Sequence, residues 1–192
     1  MFDARIFLKN KSDLEKARRI LEKLKADFKG DYAIHDKIFA SKDLTLGLDK
    51  VFLRLRVISK NIWKDKPVIV SIKHTELMDL GKQSIIPVKE QFDTEKEAED
   101  FIAKNYASQF EFSYKFDRIG WQYNLGEGDT NHVDQVDLED IEGNYSIEFK
   151  SKTEIGLQKL CTLFDVKLED IIKGPSAVAV KEILKRSRRP QL

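Results

Sequence analysis

The chain has 192 residues, with 34 Lys and Arg against 33 Asp and Glu, so its formal net charge is +1 although 35% of its residues are charged. That balance excludes a protein that coats nucleic acid or membrane by bulk electrostatics, and 41% hydrophobic residues exclude wholesale disorder. The length suits one compact domain over residues 1–192, with 186–192 as a frayed basic tail.

In chain order, Phe2 to Leu8 alternates weakly and reads as a short strand. Ser12-Asp13-Leu14-Glu15 has the spacing of a capping box. Leu14, Ala17, Ile20, Leu21, Leu24 and Phe28 follow at helical spacing, which predicts an amphipathic helix ending near Gly30. Tyr32 to Ala40 reads as a strand and Lys42 to Lys50 as a polar loop. Val51 to Ser59 is a clear strand, and Lys64-Asp65-Lys66-Pro67 predicts a turn into another, Val68 to His74. Ser84 to Phe92 reads as a further strand. Thr94 to Glu97 repeats the capping-box spacing before a helix with Ala98, Phe101, Ile102 and Tyr106 on its apolar face. Phe110 to Tyr123 predicts one or two strands, and Gly126 to Asp129 a turn. Val133 to Ile141 and Tyr145 to Ser151 follow as strands, then helices from about Thr153 to Phe164 and from Ser176 to Lys185. The fold class is α+β with about eight strands.

No apolar run approaches the ~20 residues of a membrane span. Met1 to Arg5 lacks the basic stretch and apolar core of a secretory leader. Cys161, the one cysteine, cannot form an internal disulfide; this suits the cytoplasm, and its apolar surroundings suit a core thiol. His35, His74 and His132 are too scattered for a zinc site.

The charges carry the functional signal. Residues two apart on a strand share a face, so Arg54 and Arg56 point one way while Leu53, Leu55 and Val57 point the other, and a hairpin brings Lys73 beside the arginines. Asp137 and Glu139 share a face, as do Glu148 and Lys150. Lys115, Asp117 and Arg118 add charge between them, and Glu90 lies near the end of its strand. Charges alternating with hydrophobics on strand after strand suit a sheet closed into a barrel with a polar interior. Clustered Arg and Lys suit a polyanion, and interleaved carboxylates suit a divalent cation, because oxygen ligands hold Mg²⁺ while cationic side chains neutralise phosphate oxygens.

The ordered set His35-Asp36-Lys37-Ile38-Phe39, Leu53-Arg54-Leu55-Arg56, Ser71-Ile72-Lys73, Lys89-Glu90, Arg118, Glu139-Asp140-Ile141-Glu142-Gly143 and Ser146-Ile147-Glu148-Phe149 resembles the CYTH superfamily, the triphosphate tunnel metalloenzymes. Class IV adenylate cyclases and thiamine triphosphatases are members. The resemblance implies an eight-stranded antiparallel β-barrel, open as a tunnel, with flanking helices. Residue by residue, it implies phosphate binding by Arg5, Arg54, Arg56, Lys73, Lys115 and Arg118, and Mg²⁺ or Mn²⁺ binding by Asp3, Glu90, Asp137, Glu139 and Glu148. The family opens on Glu-x-Glu-x-Lys. Here Met1 stands at the first glutamate, Asp3 and Arg5 take the other two places, and Lys150 stands where a second late glutamate often lies.

The implied activity is metal-dependent hydrolysis of inorganic, nucleoside or thiamine triphosphate. The alternatives are class IV-type adenylate cyclisation and a non-catalytic nucleotide- or polyphosphate-binding module. Hydrolysis is preferred to cyclisation because no base- or ribose-recognising segment can be located. The expected partner is a small-molecule triphosphate, with neither nucleic acid nor membrane, and a homodimer stays open. Core packing explains Trp63 and Trp121 more cheaply than nucleic-acid stacking does.

Overall fold

The computed structural model describes residues 2–60, 62–63, 66–78, 81–126, 134–172 and 176–187. Its strands are β1 (Phe2–Phe7), β2 (Asp27–Ser41), β3 (Val51–Lys60), β4 (Val68–Leu77), β5 (Lys82–Phe92), β6 (Phe110–Leu125), β7 (Asp134–Ile141) and β8 (Asn144–Ser151). Its helices are α1 (Lys11–Lys23), α2 (Glu95–Tyr106), α3 (Glu154–Leu163) and α4 (Ser176–Ser187), with one 3₁₀ turn at Leu168–Asp170. All strand pairs are antiparallel, and the order β1-β5-β4-β3-β2-β6-β7-β8 closes on itself because β1 pairs with both β5 and β8. The expected antiparallel barrel is therefore the observed fold.

The alternation seen in β3 explains how the barrel is built. Leu53 and Leu55 are completely buried, yet they lie on the outer face, where Val68, Val70 and Ile72 of β4 join them under Ala98 and Ile102 of α2. A second outer layer packs Leu14, Ala17 and Leu21 of α1 and Leu157, Leu160 and Cys161 of α3 against Ala4, Val136, Leu138, Ile147 and Phe149. Each such leucine contributes about 1.5–3 kcal/mol through burial. The hydrophobic effect thus acts outside the sheet, and the alternate residues, charged ones among them, are left to line the interior. Near one end this changes: Ala177, Val180 and Leu184 of α4 pack onto the inward-facing Ile38, Phe52, Phe116 and Ile141, so α4 lies across the tunnel there.

Several boundaries depart from the sequence reading. The N-cap of α1 is Asn10, whose side chain accepts the Asp13 N–H at 3.2 Å, not Ser12. The helix stops at Lys23 because Lys25 adopts φ 52°, and the N–H groups of Lys25 and Ala26 return to Glu22 and Leu21. Phe28 and Gly30 therefore belong to β2. The capping box expected at Thr94 and Glu97 forms in both directions. Phe110 to Leu125 is a single strand. The predicted Lys64–Pro67 turn lies in part, and the Gly126–Asp129 turn for the most part, outside the described residues. Among the described residues, no helix is long and apolar enough to cross a membrane.

Candidate functional site

Strand register decides which charges meet inside. Across β7 and β8, Asp137 stands opposite Glu148 and Glu139 opposite Ser146. Across β8 and β1, Glu148 stands opposite Arg5 and Lys150 opposite Asp3. Asp36 of β2 faces Arg56 of β3, and Arg54 faces Ser71 of β4. In the strand order, β7, β8 and β1 form one arc and β2, β3 and β4 another, joined by β6 on one side and β5 on the other. One arc of the wall is rich in carboxylates and the other in cations. Between them lies a cavity of about 140 Å³, continuous through shared lining residues such as Arg54, Lys73 and Lys150 with a second space of about 330 Å³.

The acidic arc is neutralised from within. Glu139 is fully buried and accepts bonds from Arg118 at 2.6 Å, from Tyr32 at 2.8 Å, from Ser146 at 3.2 Å, and from Arg5. Arg5 also donates to Ser146 at 2.7 Å and pairs with Glu148 at 2.9 Å. Against the desolvation of burial, Arg118 and Arg5 hold the Glu139 carboxyl below the usual range, and Arg5 and Lys150 hold Glu148 well below it. Asp137 behaves differently. Burial pushes its pKa up, and the neighbouring Glu148 and Glu139 add to that, although Lys150 lies 2.5 Å away and Gln135 donates at 2.8 Å. Asp3 is held by Lys82 at 2.6 Å and Ser84 at 3.2 Å.

The cationic arc is not neutralised to the same degree. Arg56 makes a two-pronged bond to Asp36, 2.8 Å at each oxygen, and Arg118 reaches the same carboxylate at 3.2 Å. Against burial, Arg56 then depresses the Asp36 pKa. Arg54 and Lys73 have no carboxylate partner among the described residues, and the Arg54 Nε is buried without an acceptor. Burial, and after it Arg56, pushes the Arg54 guanidinium down to about 9. Burial, followed by Arg54, pushes the Lys73 ammonium well below the ordinary lysine value. Ser71, 1% exposed, adds an Oγ without a partner on the same wall. Buried cations are normally paired. A wall that leaves a half-buried guanidinium and ammonium without a carboxylate partner, beside a buried hydroxyl without any, suits an anion with several oxygens.

Of the residues anticipated from sequence, Asp3, Arg5, Arg54, Arg56, Lys73, Arg118, Asp137, Glu139 and Glu148 converge on this interior. Lys115 does not. It is three residues from Arg118 on one strand, so alternation turns it outward and leaves it exposed, next to the outer-face pair His35 and Asp117, which are 2.8 Å apart. Glu90 is likewise exposed on the outer face, because it pairs with the outward-facing Val70. Neither can reach the cavity. Sequence reading missed Tyr32, Asp36, Ser71 and Lys82 as members of the site. For Asp36 the signal was present: it is the charged residue in the inward series Tyr32, Ile34, Asp36, Ile38.

The donor set suits a hard divalent cation. Asp137, Glu139 and Glu148 offer carboxylate oxygens within 4.8 Å of one another, the oxygen-only chemistry that Mg²⁺ and Mn²⁺ take. Glu139 is withdrawn between two arginines, so Asp137 and Glu148 are the pair facing the cavity.

The site is thus a charged cavity inside an antiparallel barrel, with a cationic wall facing a carboxylate wall. The solved structures that this chain resembles share its architecture. The PH1819 protein of Pyrococcus horikoshii OT3 matches at a TM-score of 0.70 with 16% identity, covering 97% of this chain and 99% of that one. HpAC1 of Hippeastrum, an adenylyl cyclase candidate whose structure reveals a dominant triphosphatase activity, matches at 0.66 with 13% identity and coverages of 94% and 95%. An adenylate cyclase candidate of Vibrio parahaemolyticus matches at 0.59 with 14% identity and coverages of 96% and 98%. No protein-family profile and no curated protein matches the chain. At these identities the likeness is one of fold: this chain shares the architecture of those structures over nearly its whole length.

Proposed function

We propose that the tunnel binds the triphosphate group of a small molecule and hydrolyses it with the help of a divalent cation. The observation that carries this reading is that Arg54 and Lys73, half-buried on one wall, have no carboxylate partner among the described residues, with the Arg54 Nε buried and without an acceptor. With Arg56, they supply the positive charge that a chain of phosphates neutralises. Arg5 and Arg118 are already engaged by Glu139, and their role is to hold the acidic wall in place. Asp137 and Glu148 would hold the cation. Bound there, a cation of the Mg²⁺ class supplies Lewis-acid polarisation of a phosphoryl oxygen. Catalysis then rests on positioning and charge neutralisation, without a covalent nucleophile.

The test is phosphate release from inorganic triphosphate, ATP and thiamine triphosphate with Mg²⁺ or Mn²⁺, with cyclic AMP measured in the ATP reaction. Phosphate without cyclic AMP is the expected result. Tight binding without release would favour a binding module, a reading to which Lys150, lodged between Asp137 and Glu148, lends support. Absence of binding would sink both.

Binding should also be linked to protons. Desolvation disfavours charged Lys73 in the free protein, and a phosphate oxygen beside it favours the charged form. The bound pKa therefore lies above the free one. Affinity is level below the free value and falls as pH climbs from the free to the bound value. In that window, calorimetry in buffers of different ionisation enthalpy should record proton uptake, and Lys73→Met should reduce it to the share that Arg54, also pushed down, contributes. Equal heats in all buffers would refute the linkage.

A further inference from the structure

We infer that Lys150 is a built-in competitor for the divalent cation: its ammonium occupies the place between Asp137 and Glu148 that the ion must take. This rests on the tunnel reading above and concerns how the same site is loaded. The Nζ lies 2.5 Å from Asp137 Oδ2 and 3.0 Å from Glu148 Oε2, bridging the carboxylates of two neighbouring strands as a bound cation would. It takes this position because Lys150 follows Glu148 by two residues on β8 and so shares its inward face, while Asp137 stands directly across from Glu148.

The acidic trio has no spare capacity elsewhere. Glu139 is fully buried and held by Arg5 and Arg118, which leaves Asp137 and Glu148 as the carboxylates that a cation could bridge from the cavity. A ligand is indicated independently of the acids: the Arg54 Nε, in the wall of the same cavity, is buried without an acceptor, and the 1%-exposed Ser71 leaves an unpartnered Oγ in the wall of the adjoining space that Arg54 and Lys150 also line. The Lys150 side chain is 25% exposed and reaches inward on a flexible stem. It can therefore withdraw without breaking the barrel, unlike the buried guanidinium of Arg5. An ammonium carries one positive charge and a compact head, so it satisfies the same oxygens that a divalent ion would and must leave before the ion enters. The metal-free protein accordingly takes Mg²⁺ or Mn²⁺ weakly, and the strength of binding is set by Lys150 as much as by the acids.

The experiment is calorimetric titration of the metal-free full chain with Mn²⁺ alone, comparing the wild type with Lys150→Met, Lys150→Gln and Lys150→Arg. Lys150→Met should bind Mn²⁺ more tightly by on the order of tenfold or more, the scale on which groups around a ligand set tune metal affinity. Lys150→Arg keeps the charge and should stay weak. If Lys150→Met does not fold, as judged by its circular dichroism melt, Lys150→Gln carries the comparison. An Mn²⁺ affinity that is unchanged or lower in the neutral variants would overturn the proposal. Titration of the wild type with inorganic triphosphate, both in EDTA and at saturating Mn²⁺, separates the two readings. No triphosphate binding in either condition, together with a tenfold gain for Mn²⁺ in Lys150→Met, would sink the proposed function and leave the role of Lys150 standing.

Discussion

Arg54→Met should weaken binding of inorganic triphosphate by roughly 2–5 kcal/mol, the range seen when a desolvated charged contact is truncated, while raising the melting temperature. The two effects have one cause. In the free protein the Arg54 guanidinium is desolvated, lies near Arg56, and has no acceptor for its Nε. Replacing a whole buried ion pair with apolar side chains of similar volume is neutral to stabilising by about 1–4 kcal/mol, and Arg54 has no ion-pair partner to strand among the described residues. At the lower end, a chain of this size gains about 2–4 °C. Arg56→Met provides the contrast, although it lies two residues away on the same face. Arg56 holds Asp36 by two bonds of 2.8 Å, and its loss leaves that buried carboxylate with only the 3.2 Å contact from Arg118. That variant should lose both affinity and stability. Titration calorimetry and thermal melts on the two proteins decide the matter. A drop in melting temperature for Arg54→Met would mean that the guanidinium has a structural partner and is not held ready for a ligand.

How much of this could be read from the chain depends on which physical rule governs each residue. Period-two alternation is local, so the segregation of Leu53 and Leu55 from Arg54 and Arg56 was legible, and with it the inverted barrel whose apolar face lies outside. The same rule, applied strictly, excludes Lys115 once Arg118 is placed inside, and excludes Glu90 once β4 and β5 are in register. Residue likeness to a family had overridden it. Pairing is not local. Nothing in the chain order says that Arg5 meets Glu139, 134 positions away, or that Arg118 and Tyr32 share the same carboxylate. The division between arginines that brace the acidic wall and cations left free for a ligand exists only once the barrel is closed. The covering of one end by α4 was equally hidden, since Ala177, Val180 and Leu184 read as an ordinary amphipathic face with no stated partner.

Glu139→Gln should be the most destabilising single change in the tunnel, at about 3–5 kcal/mol, the cost of removing one partner from a buried ion pair. For a chain of this length that corresponds to a fall of at least several degrees in the melting temperature. Glutamine preserves the shape but keeps one acceptor oxygen, so it can go on accepting from Tyr32 or from Ser146 and not from both, and its NH₂ group faces an arginine; the loss therefore reports charge and hydrogen bonding together. Arg5 and Arg118, 1% and 8% exposed, would remain inside with their main counter-ion gone. The pH dependence has a definite sign. Because the Glu139 pKa is lowered in the folded state, its contribution is present above the ordinary carboxylate range and is lost as pH falls through the depressed value. Asp137, whose pKa is raised, has the opposite sign: its protonation on acidification relieves strain within the trio. Acid unfolding should therefore track Glu139 together with Glu148 and Asp36, whose carboxyls are also held low, and Glu139→Gln should make the profile shallower while Asp137→Asn does not. Pairing Glu139→Gln with Arg118→Met should cost less than the sum of the two single changes, because the second removes the cation that the first strands. Strict additivity in that cycle would show that the 2.6 Å contact between them carries no energy, and the bracing role of Arg118 would have to be given up.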